Sequence, residues 1–273
     1  LFVLVILFIR NSFLLTAITI LASGISAQDN FAGKAGNIYQ FGSTRPSFAE
    51  GNLLVPKGKA QIETAVSYNY YQNNRHEMVH PSVQIKYGVS QYFELRLSSS
   101  AMTILSPDSS ITGLPPITFG LKVKMLDAKK NATGASFIGG MNISYAATKN
   151  MRPKYLAPFF RICMQQYLPE NFGMMYNYGL FWTGNDAKPT YNFAVNTHYT
   201  AALKSTASKH HQIRTFLEVY LLYPHGQTPD LRANAGFAYL LNEFIQADFS
   251  VGAGLLKQSP RFIASAGLAV RFP

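Results

Sequence analysis

The sequence predicts an all-β fold, a transmembrane antiparallel up-and-down β-barrel of about twelve strands of the outer-membrane type, and three observations carry that expectation. Charged residues make up only 14% of the 273 residues, against roughly a quarter in soluble domains, while 20 Phe and 16 Tyr make the chain strongly aromatic. From residue 60 onward the chain falls into runs that alternate with period two, the mark of strands with two different faces. One parity of that alternation holds no charged residue, as a wall facing hydrocarbon requires.

The runs are taken in order as 60–71, 81–89, 91–101, 116–126, 135–147, 156–168, 171–183, 190–203, 211–223, 231–241, 243–255 and 261–272. Crossing a bilayer takes about 9 to 11 tilted residues, which these lengths meet or approach. The first three carry Ile62, Val66, Tyr68; Val83, Ile85, Tyr87; and Phe93, Leu95, Leu97 on the apolar parity. The next three continue it with Phe119, Leu121, Val123; Phe137, Met141, Ile143; and Phe160, Ile162, Met164. Then follow Met174, Tyr176, Tyr178; Tyr191, Phe193, Val195; and Leu217, Val219, Leu221. Phe237, Tyr239; Phe249, Val251; and Leu268, Val270, Phe272 close the series. Pro158 lacks a ladder donor, so the sixth strand is expected to begin beyond it.

Alternation alone does not separate a membrane barrel from a soluble one, because both have one apolar face. The connections and rims separate them. With the first strand rising from the periplasm, one end receives 88–91, 127–134, 169–171, 204–210 and 242, and the other receives longer connections on average, among them 72–80 and 102–115. Short inner turns and longer outer loops are the membrane-barrel habit. The same assignment puts Tyr70, Tyr145, Trp182, Tyr191, Tyr223 and Phe262 at the upper rim and Tyr87, Phe93, Phe137, Phe172, Tyr239, Phe244 and Phe272 at the lower, two aromatic girdles. The chain ends in an alternating, amphipathic Ala269-Val270-Arg271-Phe272, similar to the closing strand of outer-membrane barrels except for the trailing Pro273.

Residues 1–27 read as a cleaved signal peptide, with Arg10 as the positive region, 13–22 as the apolar region and cleavage after Ala27. Residues 1–9 read as an upstream extension, and the competing reading is an N-terminal anchor. Residues 28–58 form an N-terminal segment, periplasmic or tucked into the barrel as a plug, and 59–273 form the barrel.

The balance of 24 Lys+Arg against 13 Asp+Glu gives a net charge of +11, yet no basic block marks a nucleic-acid-binding helix or tail, so nucleic acid is not an expected partner. Cys163 is the single cysteine and has no metal-ligand neighbours. His76 with His80, and His210 with His211, lack the cysteines or carboxylates that a metal centre needs, so no metal or other cofactor is expected. A barrel lipase would require an outward Ser and His at the outer rim, and the apolar parity supplies neither. Gly252 and Gly254 have no following helix and do not form a phosphate loop. The chain is therefore not expected to be an enzyme.

A family resemblance rests on Ser43, Thr44, Arg45, Pro46, Ser47 and Phe48, then Val55-Pro56-Lys57-Gly58-Lys59 and Gln61-Ile62-Glu63, which together read RPxF … PxGxxQxE. Tyr87 to Arg96 and Gly236 to Gly254 extend it, so that it spans 43–272. This pattern resembles the family of outer-membrane barrel transporters named after the MetA pathway of phenol degradation. The resemblance implies a barrel with a transport role, and leaves the solute open.

The opposite parity supplies the expected lumen lining: Glu63, Lys86, Glu94, Arg96, Lys122, Lys124, Arg161, Arg214, Glu218, Arg232, Asp248 and Arg271. Basic residues outnumber acidic ones in this set, which favours passive passage of small anionic solutes through a porin-like channel, and the family resemblance adds aromatic solutes to that expectation. Pairing of the same charges across the lumen would instead give a closed structural barrel, and a secreted soluble binding barrel is the third alternative. A Gram-negative outer-membrane location follows from the first two, with lipid, lipopolysaccharide, the barrel-assembly machinery and a small-molecule solute as partners.

Overall fold

The computed structural model describes residues 41–128, 132–203 and 211–272. The expected signal peptide, residues 28–40, His210 and Pro273 lie outside them. Strands β1 (Ala60–Tyr70), β2 (His76–Gly88), β3 (Phe93–Ser106), β4 (Ser109–Gly113), β5 (Ile117–Leu126) and β6 (Gly134–Ile143) form the first half. They are followed by β7 (Ala157–Tyr167), β8 (Phe172–Phe181), β9 (Thr190–Ala202), β10 (Gln212–Pro224), β11 (Asp230–Leu240), β12 (Ile245–Gly254) and β13 (Phe262–Phe272).

Every pairing between strands is antiparallel, and β13 returns to β1 with Ala60 opposite Phe272 and Tyr70 opposite Phe262. The additional pairing of β2 with β3 completes the circle, so that twelve strands close into a barrel. Closure removes the exposed ladder edges of the twelve-strand wall, which is what allows its strands to stand in lipid. The remaining strand, β4, pairs only with β3 and prolongs that hairpin beyond the wall.

All the expected runs are strands, with four main differences in extent, the first being that β6 ends at Ile143 and residues 144–146 of the run expected over 135–147, Tyr145 among them, form a 3-10 turn. β2 starts at His76 and carries Pro81 inside it, at a register shift between Val79 and Ser82 where a ladder donor is dispensable. The connection before it is correspondingly short, 71–75. β3 and β4 take up residues expected to be loop, because the segment 102–113 itself alternates. β7 begins at Ala157, ahead of Pro158; as the second residue of the strand Pro158 forgoes one N–H, while its carbonyl still accepts from Trp182 N at 3.0 Å.

The two faces are inverted relative to a soluble protein. The largest fully buried side chains include Lys86, Gln61, Gln246, Glu63, Glu94 and Glu218, whereas Val66, Phe119, Leu217, Val219, Phe237, Phe249 and Leu268 are exposed. An apolar surface that encircles the molecule is far larger than the patches soluble monomers tolerate in water. It suits a hydrocarbon surround, and it answers the question alternation leaves open. No helix among the described residues is long and apolar enough to cross a membrane, so any crossing is made by strands.

Aromatic pairs bind neighbouring strands on this face: Tyr178 with Phe193 at 4.8 Å, Phe172 with Tyr199 at 4.9 Å, and Tyr191 with Tyr223 at 6.3 Å between centroids. Cross-strand ring pairs of this kind contribute about 0.5–1.5 kcal/mol each.

Candidate functional site: the barrel interior

Residues 41–59 run inside the barrel before the chain enters β1, and the interior side chains are organised around them. At the C-terminal end of this segment Lys59 N donates to Pro56 O at 3.0 Å, closing a turn whose third residue, Gly58, has φ +77°. Glycine adopts that conformation without the penalty a side chain would bring. Gly58 N then donates to Gly88 O at 2.7 Å and Gly88 N to Lys59 O at 3.0 Å, fastening the turn to the end of β2.

Gly88 is required by proximity. A Cβ there would stand 2.2 Å from Pro56 O and 2.4 Å from Val55 O, both backbone atoms that cannot swing away. Gly88→Ala is therefore expected to lever the segment off β2 and cost about 1–3 kcal/mol. Chemical denaturation of the protein refolded into detergent micelles checks this, and an unchanged midpoint would refute it.

Deeper in, wall side chains bind the backbone of the segment. The Glu218 carboxylate on β10 accepts from Phe48 N at 2.8 Å and Ala49 N at 2.6 Å. Asn177 on β8 treats Glu50 as a strand neighbour would, its Oδ1 accepting from Glu50 N and its Nδ2 donating to Glu50 O, both at 2.8 Å. Gln165 Oε1 accepts from Asn52 N at 3.1 Å and Glu94 Oε2 from Val55 N at 2.6 Å. Lys122 Nζ donates to Gly51 O at 2.7 Å and Leu53 O at 3.1 Å, and Arg161 to Phe48 O at 3.2 Å. These contacts satisfy backbone groups of an irregular segment that no sheet ladder reaches.

Side chains of the segment are also anchored, Arg45, Phe48 and Glu50 among them, and Asn52 Nδ2 donates to Leu126 O at 3.2 Å. Arg45 pairs with Asp248 at 3.1 Å and donates to Ser265 Oγ at 2.7 Å. Phe48 stacks on Tyr220 at 4.5 Å and 8°, and the Arg161 guanidinium lies over the Phe48 ring, 4.7 Å from its centroid. The Glu50 carboxylate meets Arg96 at 2.8 Å, Lys122 at 3.7 Å and Arg161 at 3.8 Å. Burial alone would raise its pKa, but Arg96, Lys122 and Arg161 outweigh that and hold the carboxyl well below the usual range.

The structure places the sequence-derived set as follows. Glu63 and Lys86 form a buried pair at 2.6 Å, with Thr44 donating to Glu63 and Lys86 reaching Gly42 O at 3.3 Å. Glu94 pairs with Arg96 at 2.7 Å. Arg271 donates to Gln61 Oε1 at 3.1 Å and lies 4.4 Å over the Phe41 ring. Arg214 lines a small cavity beside Phe41, Gly42 and Gly51. Lys124 and Arg232 sit apart from the segment, paired with Asp127 at 3.1 Å at one end of the barrel and with Asp230 at the other.

At the end of the barrel where β1 turns into β2, Tyr71 OH donates to Glu77 Oε2 at 2.9 Å, and Arg75 pairs with the same carboxylate. Burial, together with that carboxylate, pushes the Tyr71 phenol up to about 12. Of the histidines, His76 shares a hydrogen bond with Tyr68 OH, His80 with Thr103 and His211 with Tyr239, and His198 is buried with Nδ1 3.3 Å from Asn196 Oδ1. Among the described residues no three His, Cys, Asp or Glu side chains converge as metal ligands would.

Sequence reasoning missed Glu50 as a functional residue and saw Arg45 and Phe48 only as motif letters. Their signal was the RPxF pattern itself, which lies outside any strand and so had no face to be assigned to. The amides Gln61, Gln165, Asn177 and Gln246 belong to the same network.

A model of the family described as "Putative MetA-pathway of phenol degradation" matches residues 43–272. No curated protein matches the chain in sequence. Among solved structures, an outer membrane channel from Pseudomonas putida F1 is similar with a TM-score of 0.58 at 9% identity, over 80% of this chain and 97% of that one. The KdgM porin (TM-score 0.48, 10% identity, 78% and 99% covered) and the NanC porin (0.48, 8%, 78% and 99%) are less similar. The first of these likenesses shows the fold, that of an outer-membrane barrel.

Proposed function

The chain belongs to the family described as "Putative MetA-pathway of phenol degradation", and we propose that it is a porin-like outer-membrane channel for passive passage of small solutes, with residues 41–58 acting as a plug in its interior. The observation that carries this reading is the inverted closed barrel: an uncharged outer face around an interior of buried charges and amides. A polar interior of this kind supports a passage for water and solutes.

The channel chemistry is non-enzymatic and needs no cofactor. Its location is the outer membrane of a Gram-negative bacterium, with lipid and lipopolysaccharide against the apolar face and the barrel-assembly machinery acting during insertion. Basic residues outnumber acidic ones on the wall, which supports a preference for anionic solutes. Most of that wall charge is engaged with the segment or with a neighbouring acid, so the preference of the plugged protein is weak.

A second reading, a closed structural barrel, is favoured by the same pairing. Planar-bilayer recordings of the purified protein distinguish them. Discrete, small, weakly anion-selective currents are expected; complete silence, or clear cation preference, would overturn the channel reading.

A further inference from the structure

Resting on the reading of residues 41–58 as a plug, we infer that the barrel interior is a recognition site for an extended peptide, reading backbone along its length and three side chains spaced as Arg-x-x-Phe-x-Glu. The resident peptide is the chain's own segment, and one of the same sequence supplied as a separate molecule binds in its place.

The geometry separates two kinds of contact. Backbone recognition comes from side chains on opposite parts of the wall: Glu218 holds successive N–H groups of Phe48 and Ala49, Asn177 pairs both polar groups of Glu50, and Glu94 takes Val55 N. Lys122 takes the carbonyls of Gly51 and Leu53. Some wall charges pair with one another, as Glu63 does with Lys86 and Glu94 with Arg96, but the wall also turns polar atoms to the backbone of the segment. Here carboxylates meet N–H groups and an ammonium meets carbonyls, the complementarity of a peptide-binding groove.

Sequence selectivity comes from the anchors. Arg45 reaches Asp248, Phe48 stacks on Tyr220, and Glu50 is shared by Arg96, Lys122 and Arg161. Between them Ser47 Oγ donates within the segment, to Ala49 O at 2.8 Å, and Ala49 packs in a buried cluster with Met175, Ala194 and Tyr220. The site thus distinguishes a peptide with this spacing from one of equal composition in another order, as polar groups left unpaired inside the barrel penalise the wrong one.

The test uses the full chain carrying R45A, F48A and E50A together, which leaves every wall residue in place and weakens only the resident segment. Heat-modifiable migration selects folded preparations, and F48A alone serves if the triple variant does not fold. A fluorescent peptide of residues 41–56 is added in detergent and in planar bilayers. It is expected to bind, by anisotropy, and to return the raised current of the variant towards the wild-type level. A scrambled peptide, and one N-methylated at Ala49 that keeps every side chain but loses one of the two N–H groups held by Glu218, are expected to bind roughly tenfold or more weakly. Absence of binding, or equal binding of all three peptides, overturns peptide recognition whatever the current does. Selective binding without any rise in the variant's current sustains recognition and overturns the plug.

Discussion

Glu50→Ala is expected to raise the single-channel current substantially while leaving the barrel folded. Glu50 is the one carboxylate that Arg96, Lys122 and Arg161 share, at 2.8, 3.7 and 3.8 Å, and it sits on the segment, not on the wall. Removing one partner of a buried ion pair costs about 3–5 kcal/mol, because the remaining charge is left in a poorly solvated place. Arg96 retains Glu94 and Lys122 retains two carbonyls, so the lower part of that range applies.

At about 1.4 kcal/mol per tenfold, a loss of about 3 kcal/mol shifts the balance of docked and undocked segment by roughly two powers of ten. The twelve-strand ladder takes no part in that balance, so heat-modifiable migration should be unchanged. Glu77→Gln is the comparison: it alters a carboxylate at the end of the barrel where β1 turns into β2, paired with Arg75 and Tyr71, and should leave the current alone. Equal currents from wild type and Glu50→Ala would mean that the segment does not limit passage.

The barrel was legible in the sequence because lipid imposes a rule on every second residue of every strand. Phe119, Leu217 and Phe249 announce the outer face, and Lys86, Lys122 and Glu218 announce the inner, before any pairing is known. What the inner residues do was not legible. Periodicity says which way a strand residue points, but not that Glu218 would meet two backbone N–H groups or that Lys122 would meet two carbonyls. Those partners come from a segment more than a hundred positions away from Glu218 and without periodicity of its own. Counting the inner charges as solvated lining therefore overstates the field they offer a solute, since Glu50 neutralises cations that the strands alone leave in excess. The β3–β4 hairpin was missed for another reason: its residues alternate like a strand but extend a loop whose length alone suggested irregular chain.

Leu217→Arg is expected to lower the stability of the protein refolded into lipid vesicles by about 2–4 kcal/mol, the cost of an arginine on the lipid face near the bilayer midplane. Leu217 lies near the middle of β10, between Thr197 of β9 and Ala235 of β11, and is 59% exposed. In water such a residue would accept a charge at almost no cost, since surface substitutions mostly fall within about 0.5 kcal/mol. Tyr223→Arg supplies the depth control, because Tyr223 stands at the end of the same strand against Tyr191. There a guanidinium reaches the headgroup region, and the expected cost is about 0–1 kcal/mol plus the lost ring contact. Guanidinium titrations of both variants in vesicles read the difference. A Leu217→Arg variant as stable as the wild type, or a larger loss at Tyr223 than at Leu217, would place the apolar face against something other than hydrocarbon, and the soluble barrel would return as the better account of the alternation.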